Sequence, residues 1–590
     1  MDISYDLLIQ GGTVMDGSGA AAFVADVALR QGKVVEISRA PLPTERAARV
    51  LPAQGLWVTP GFIDIHTHYD AEVLMAPGLP ESVRHGVTTA FIGSCSISMI
   101  YTAAEDASDI FTRVESIPRE YVLPTLQKDK TWTDAAGYIA KLESLPLGPN
   151  ICSYMGHSDL RTAVMGLGRA VDPKARPSEA EMQAMERHLD EGISQGLLGM
   201  SGMTNPWDKV DGERYRSSAL PSVYARWSEY RRLHKLLRRR GAILQSAPNL
   251  NNPVNAVFYL FSSASLGLRK TLKTTLITLM DVKAKPGLDR LVALGTNFFN
   301  RRLGANFRWQ ALPQPFQVYA DGIDFIIFEE FPAGEAALHL KHDFDRNKLF
   351  ADPAYRSQFK AEYRRKWGGK VWHRDFSDAH VIACPEPGLV GKSVQQIAAE
   401  RGQHEVDTFL DLIIDHGRAL RWSTVIANHR PERMASNLRE PCSLVGFSDA
   451  GAHLRNMAFY NFGLAMLQQS LLPRPTLSPE KAVWRLSGEI ADWYEIDAGR
   501  LRVGAQADLV VLDPEALRRA KLDAYAEASF EVMGGMQRMV NRNDGIIKVT
   551  VINGHIAFED DKPHPELGRA PGFGRFLRRK PGLGTASALA

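Results

Sequence analysis

The sequence predicts an α/β protein: a (β/α)8 TIM-like barrel, with a small β-sandwich domain built from both termini and an insertion near the barrel mouth. Three observations point there. Both ends of the chain carry short apolar runs broken by turn residues. The long middle alternates strand-like and helix-like text, and a stretch at about 287–376 interrupts that alternation. Several hundred residues of alternating β and α segments fold most economically as parallel βα units closed into a barrel.

The N-terminal part, residues 1–57, reads YDLLIQGGTV, FVADVALRQGKVVEI and RVLPAQGLWVTPG. Gly11-Gly12 and Gln31-Gly32 stand where antiparallel strands would reverse. The same vocabulary returns over 491–562, in ADLVVLDP and IIKVTVINGHIAFED, where Asn553-Gly554 marks a hairpin turn. These two segments are expected to pair, with the barrel of 58–490 between them. Within the barrel, Met182, Met185, Leu189 and Ile193 recur at helical spacing, and Ser178 with Glu181 forms a capping box ahead of them. The basic run RRLHKLLRRR contains Leu233, Leu236 and Leu237 on one face, so it reads as a solvated basic helix face rather than a nucleic-acid contact. The insertion is aromatic and Arg-rich (FFNRRLGANFRWQ, AEYRRKWGGKVWHRDF), and 563–590 reads as an extended C-terminal arm.

Composition narrows the function classes. Hydrophobic residues at 45% and charged residues at 23% suit a globular protein and exclude a disordered chain. Four cysteines are too few for a disulfide scaffold. Seventy basic against 67 acidic side chains leave +3, which gives no electrostatic reason to expect nucleic acid or anionic lipid as partner. The first residues lack the basic start and apolar core of a secretory signal, so a cytoplasmic location is expected. No uncharged apolar run is long enough for a membrane span; Asn255–Leu266 is apolar but short, an amphipathic or buried segment. A small-molecule substrate is the expected partner, with a homo-oligomer left open.

The chemistry concentrates at Thr59-Pro60-Gly61-Phe62-Ile63-Asp64-Ile65-His66-Thr67-His68. Residues two apart on a strand point to one side. His66 and His68 therefore project together from the carboxyl end of a buried strand, where barrel enzymes place their chemistry. Paired neutral imidazoles suit zinc or a similar divalent ion. Far along the chain, the apolar run before Asp449 delivers a carboxylate into a Gly/Ala-rich loop, Ser448-Asp449-Ala450-Gly451-Ala452-His453. An acid placed at a barrel mouth can move a proton between water and a leaving group.

These motifs resemble the amidohydrolase superfamily: PGFIDIHTH, a βα-rich middle, GFSDAGAH, then RLRVGAQADLVVLD. GVTTAFIGSCS, NICSYMGHSDLRTAVMG, GISQGLLGMSGM and PGFGRFLRR narrow the resemblance to the N-acyl-D-amino-acid deacylase (D-aminoacylase) branch, over about residues 5 to 580 apart from the insertion. The resemblance implies that Cys95 is a metal ligand, the alternative being a small buried thiol. It implies that Asp449 ends the last barrel strand as the catalytic proton shuttle and a ligand, and that His453 contacts substrate, as in cyclic-amide members. His157 and Arg161 lie in a loop near the site in such enzymes; Arg161 either pairs with a substrate carboxylate or pins the loop to an internal acid.

The departures from the branch are specific. It carries histidine ligands after the fifth and sixth strands, whereas this chain has none between His234 and His339. Gln245 stands near the first position. Asp281 stands at the second as a candidate ligand, and Lys283 keeps a lysine position that can receive a substrate carboxylate; an ion pair is the alternative for both. With His66, His68, Cys95, Asp449 and Asp281 as the donor set, one tightly held divalent metal per chain, Zn2+ first, is expected. The activity expected is hydrolysis of a carboxamide, with N-acyl amino acids, D forms among them, as substrates and metal-activated water as nucleophile. The rivals are a cyclic amide hydrolase of the dihydroorotase or hydantoinase kind and a non-catalytic binding or assembly protein of the same fold.

Overall fold

The computed structural model describes residues 4–250, 252, 254–365 and 369–582. Leu7–Val14, Phe23–Arg30, Lys33–Ser38, Val50–Pro52 and Trp57–Pro60 join Leu509–Leu512, Ile547–Ile552, His555–Glu559 and Lys562–Pro563 in one nine-stranded sheet. The two ends of the chain meet where Trp57–Pro60 runs antiparallel to Leu509–Leu512. The period-two rule sets its faces. Leu509 and Val511 join Val27, Leu29 and Val58 in a cluster of their own, while Val510 and Leu512 turn to a cluster holding Phe62, Val83 and Val87. The expected sandwich is thus one continuous sheet with one face against the barrel. Gly11-Gly12 does not reverse the chain. It lies inside the first strand at a register shift, with Gly11 at φ +69, and the left-handed backbone is absorbed as a bulge. Gln31-Gly32 and Asn553-Gly554 do reverse it. The hairpin Ala526–Phe530 with Met536–Val540 leaves this sheet, and Arg538 pairs with Glu72 at 2.9 Å.

Eight strands make the middle of the molecule: β1 (Phe62–Asp64 and His66–Thr67), β2 (Val87–Ile92), β3 (Asn150–Ser153 and Met155–Gly156), β4 (Gly199–Met203), β5 (Ile243–Ala247), β6 (Lys273–Leu276), β7 (Asn306–Ala311) and β8 (Ser443–Val445 and Phe447–Ala450). Each pairs in parallel with the next. β8 pairs back onto β1, with Phe447 opposite His66 and Ala450 opposite Thr67, and this closes the ring. β1 to β5 are buried along their whole length, as parallel strands covered on both sides must be.

Helices surround the ring. Glu179–Ser194 starts on the expected capping box of Ser178 and Glu181 and buries Met182, Met185 and Leu189. Trp227–Arg240 buries Leu233, Leu236 and Leu237, and its basic side engages the neighbouring helix through Arg232 with Glu179 and Glu186 and through Arg240 with Asp190.

The break in the repeat lies later than 287–376. Leu288–Arg302 is a helix of the repeat and β7 follows it, with Phe307 and Trp309 buried on the face toward that helix, where Trp309 Nε1 donates to Thr296 Oγ1 at 2.8 Å; aromatic richness disguised an ordinary helix–strand unit. The added elements stand between β7 and β8. A three-stranded sheet of Phe316–Asp321, Arg421–Ala427 and His380–Ala383 packs with five α-helices between Pro332 and His416. Phe328, Trp372, Phe409 and Trp422 form its aromatic centre. Of the expected C-terminal arm, Arg575 and Leu577 hydrogen-bond to Ile151 of β3, and 583–590 lie outside the described residues. No helix among the described residues is long and apolar enough to cross a membrane.

Candidate metal centre

The closing of β8 on β1 brings together residues nearly 400 positions apart. One ligand atom each of His66, His68 and Cys95 lies within 4.8 Å of the others, and all three residues are buried. Cys95 Sγ is 3.4 Å from His66 Nε2. Asp449 Oδ1 is 3.6 Å from His66 Nε2 and 3.3 Å from His68 Nε2.

Local backbone turns aim these groups inward. Cys95 (φ +53), Asp449 (φ +58) and His453 (φ +48) all take left-handed conformations uncommon for residues with a Cβ. Gly93 allows the first turn: at φ +75, a Cβ would stand 2.4 Å from the Tyr154 carbonyl. The Cys95 N–H donates to Gln245 Oε1 at 2.9 Å, which fixes the thiol loop against β5. His66 Nδ1–H donates to Gln310 Oε1 at 2.6 Å, leaving the Nε2 lone pair for the cluster. His68 Nδ1 stands 3.0 Å from Glu115 Oε1. Partners of this kind orient metal-binding imidazoles.

Electrostatics fit the same picture. Burial, then the nearby His68, lowers His66 to about 4, so its imidazole is neutral at pH 7. Burial disfavours the charged form of His68, but Glu115 and Asp449 outweigh it and hold His68 well above its ordinary value. Burial opposes ionisation of Asp449, yet the hydrogen bond from His68 and the charges of His68 and His66 bring it to about 2. Burial pushes Cys95 up to about 11 and Glu115 to about 8. A divalent ion bound here would displace the His68 proton and deprotonate the Cys95 thiol. Two imidazoles and one thiolate suit zinc with its fourth position left for a water, beside which Asp449 stands.

The cluster opens into a cavity of about 380 Å3 with a largely apolar wall that includes Met203, Trp207, Leu279, Val292, Phe325 and Ile426. Asp449, Glu115, His453 and Lys285 also face it. The His453 N–H donates to the Glu115 carbonyl at 2.6 Å, and burial lowers its imidazole to about 4.

Four expected site residues stand elsewhere. Asp281 is buried and held bidentately by Arg430 (2.5 and 2.7 Å), and it is not in the cluster. Lys283 pairs with Asp378 at 2.9 Å. His157 and Arg161 both meet Glu229, at 3.0 and 3.3 Å, so Arg161 pins its loop to an internal acid. None of the four lines the cavity. Glu115, Gln310 and Lys285 were missed. A polar Gln310 ending a buried strand was a readable signal; Glu115 sits in a connecting loop with no motif around it.

No family model matches the chain. An uncharacterized protein of Mycobacterium tuberculosis is 49% identical over 563 residues, 94% of this chain and 92% of that protein. An N-acyl-D-glutamate deacylase of Alcaligenes xylosoxydans xylosoxydans is 33% identical over 201 residues, 34% of this chain and 38% of that protein. Among solved structures, a D-aminoacylase described by its binuclear metal center superposes with a TM-score of 0.63 at 21% identity, covering 98% of this chain and 100% of that one. An N-acyl-D-glutamate deacylase from Bordetella bronchiseptica, complexed with zinc and a phosphonate inhibitor, gives 0.62 at 21% identity over 97% and 99% of the two chains. The chain thus matches an uncharacterized mycobacterial protein over nearly its whole length, is similar to an N-acyl-D-glutamate deacylase over about a third of its sequence, and shares the fold of the D-aminoacylase structures.

Proposed function

We propose that the protein is a metal-dependent hydrolase of carboxamides, acting on N-acyl amino acids. The observation that carries this reading is the convergence of His66, His68, Cys95 and Asp449 at one end of an apolar cavity. When bound there, a divalent ion polarises an acyl carbonyl and lowers the pKa of an attacking water. The residues do the rest. His66, His68 and Cys95 hold the ion, with Gln310, Glu115 and Gln245 fixing their orientation. Asp449, a carboxylate at neutral pH, takes a proton from the attacking water and returns it to the leaving amine. The apolar wall takes the acyl group and excludes water from around the reacting carbonyl. Lys285 takes over the role expected of Lys283: it faces the cavity and receives the carboxylate of the amino-acid part.

The test is hydrolysis of a panel of N-acyl-D- and N-acyl-L-amino acids by zinc-loaded protein, with cyclic amides and esters as controls. Turnover of the open-chain amides, lost on chelation and restored by zinc, is the expected result. Turnover confined to cyclic amides, or full activity without metal, refutes the reading.

A further inference from the structure

Two neighbouring helices of the ring, α1 (Val254–Ser263) after β5 and α2 (Leu288–Arg302) after β6, turn apolar side chains outward. On α1 these are Val254 (54% exposed), Val257, Phe258 and Phe261, at the i, i+3, i+4, i+7 spacing of one helix face. On α2 they are Leu291 (69%), Leu294 (68%) and Phe298 (56%), again on one face. Phe261 meets the half-buried Phe299 at 5.0 Å, and Phe299 meets Phe298 at 6.2 Å, so the two stripes are linked through Phe299, and Leu268 is 90% exposed. Soluble proteins rarely leave so large an apolar patch without a partner.

The charge around the patch chooses the partner. Between residues 250 and 306 the only acids are Asp281 and Asp289, both buried and engaged by Arg430 and Arg433. Lys270, Arg290, Arg301 and Arg302 are exposed and pair with no acid among the described residues. One acid from outside this segment, Glu440, accepts from Asn297 of α2 at 2.9 Å, and against it the exposed Lys270, Arg290, Arg301 and Arg302 leave a local cationic rim beside the apolar face. A second copy set against this face would bring two cationic rims together, whereas an anionic lipid surface complements both features. The patch also reaches the site. Leu250 and Leu288, 41% and 42% exposed, line the cavity over the metal cluster as well.

We propose that α1 and α2 dock the protein on an anionic lipid surface, from which an amphiphilic substrate with a long acyl chain enters the cavity past Leu250 and Leu288; the substrate clause rests on the amide-hydrolase reading. The docking can be read without catalysis, by co-sedimentation with phosphatidylglycerol-containing vesicles against pure phosphatidylcholine vesicles. The full chain should pellet with the anionic vesicles at low salt and be released at high salt. Arg301→Ser with Arg302→Ser should weaken partitioning roughly thirtyfold, since each basic residue near such a surface contributes about 1 kcal/mol. Leu291→Glu with Phe298→Glu should abolish it. Both variants should keep wild-type turnover of short soluble N-acetyl substrates, which also shows that they fold. With vesicles present, wild type should favour N-dodecanoyl over N-acetyl substrates at least about tenfold, and the Glu variant should lose that preference. Absence of vesicle binding by the wild type overturns the docking. So does light scattering that shows self-association lost in the same variants while vesicle binding is nil. Vesicle binding without any chain-length preference overturns the route into the cavity, and loss of all amide hydrolysis with binding retained refutes the hydrolase reading instead.

Discussion

The Asp449 carboxylate lies 3.3 Å from Nε2 of His68, across the seam where β8 closes on β1. The pairing of Phe447 with His66 sets this distance, and the left-handed turn at Asp449 points the side chain inward. Asparagine at 449 keeps the shape but not the basicity. Asp449→Asn should therefore fold normally and lose about 10²–10⁴-fold in kcat, the usual contribution of a positioned acid–base group. Steady-state kinetics with metal content measured on the same sample checks it. A loss confined to KM would remove Asp449 from proton transfer.

Metal stoichiometry follows from which donors converge. A two-ion site needs several shared ligands, and Asp281, the one further donor expected from the sequence, is occupied by Arg430. His66, His68 and Cys95 with a water at the fourth position suffice for one tetrahedral ion. Extensively dialysed, active protein should retain one divalent ion per chain by elemental analysis. Glu115→Gln should loosen it about 10–100-fold in a chelator competition, because His68 loses the carboxylate that orients it. Two ions retained at full activity would contradict the count.

The ring was legible because buried parallel strands and amphipathic helices leave period patterns in the text, as at Ser178 to Ile193. The paired histidines were legible because two residues on one strand face are neighbours in the sequence. Asp281, Lys283, His157 and Arg161 were not, since each is a polar residue in a suggestive place whose partner lies far away in the chain. Arg430 is 149 positions from Asp281 and Glu229 is 68 from Arg161. Spacing alone does not show that a charge is already paired. Glu115 escaped for the converse reason: its position beside His68 comes from how a loop folds over the barrel mouth, and no local pattern encodes that. The late start of the added segment was hidden because Phe307 and Trp309 look irregular until β7 shows them side by side on the strand face that packs against the preceding helix.

Two lysines separated by one residue make opposite predictions. Lys285 faces the cavity, whereas Lys283 is held by Asp378. Lys285→Met should lower kcat/KM for substrates with a free α-carboxylate by roughly 10–100-fold, the range of one charge-assisted hydrogen bond at about 1.5–3 kcal/mol. The corresponding neutral amides should be almost unaffected. Lys283→Met should leave both substrate types alike. Equal losses with the two substrates in Lys285→Met would make that residue structural.

Acid sensitivity of the fold should come in part from two histidines remote from the cluster. His234 is buried between Tyr230 and Tyr259; burial, then the charges of His157 and Arg238, lowers it to about 3. Burial lowers His85 to about 4, although its Nδ1 lies 2.7 Å from the Glu81 carbonyl. In the unfolded chain both return to about 6.5. Between those values the unfolded state binds protons that the native state refuses, so unfolding is favoured as pH falls. Stability should be full above about pH 6.5, and each histidine should remove about 1.4 kcal/mol per pH unit below it. The loss levels off only as pH drops through the folded values. Urea unfolding between pH 7.5 and 5 reads this slope directly. His234→Phe keeps an aromatic ring between the two tyrosines and cannot titrate, so its slope should be shallower than wild type by one histidine's share. An unchanged slope in that variant would assign the acid sensitivity to other groups.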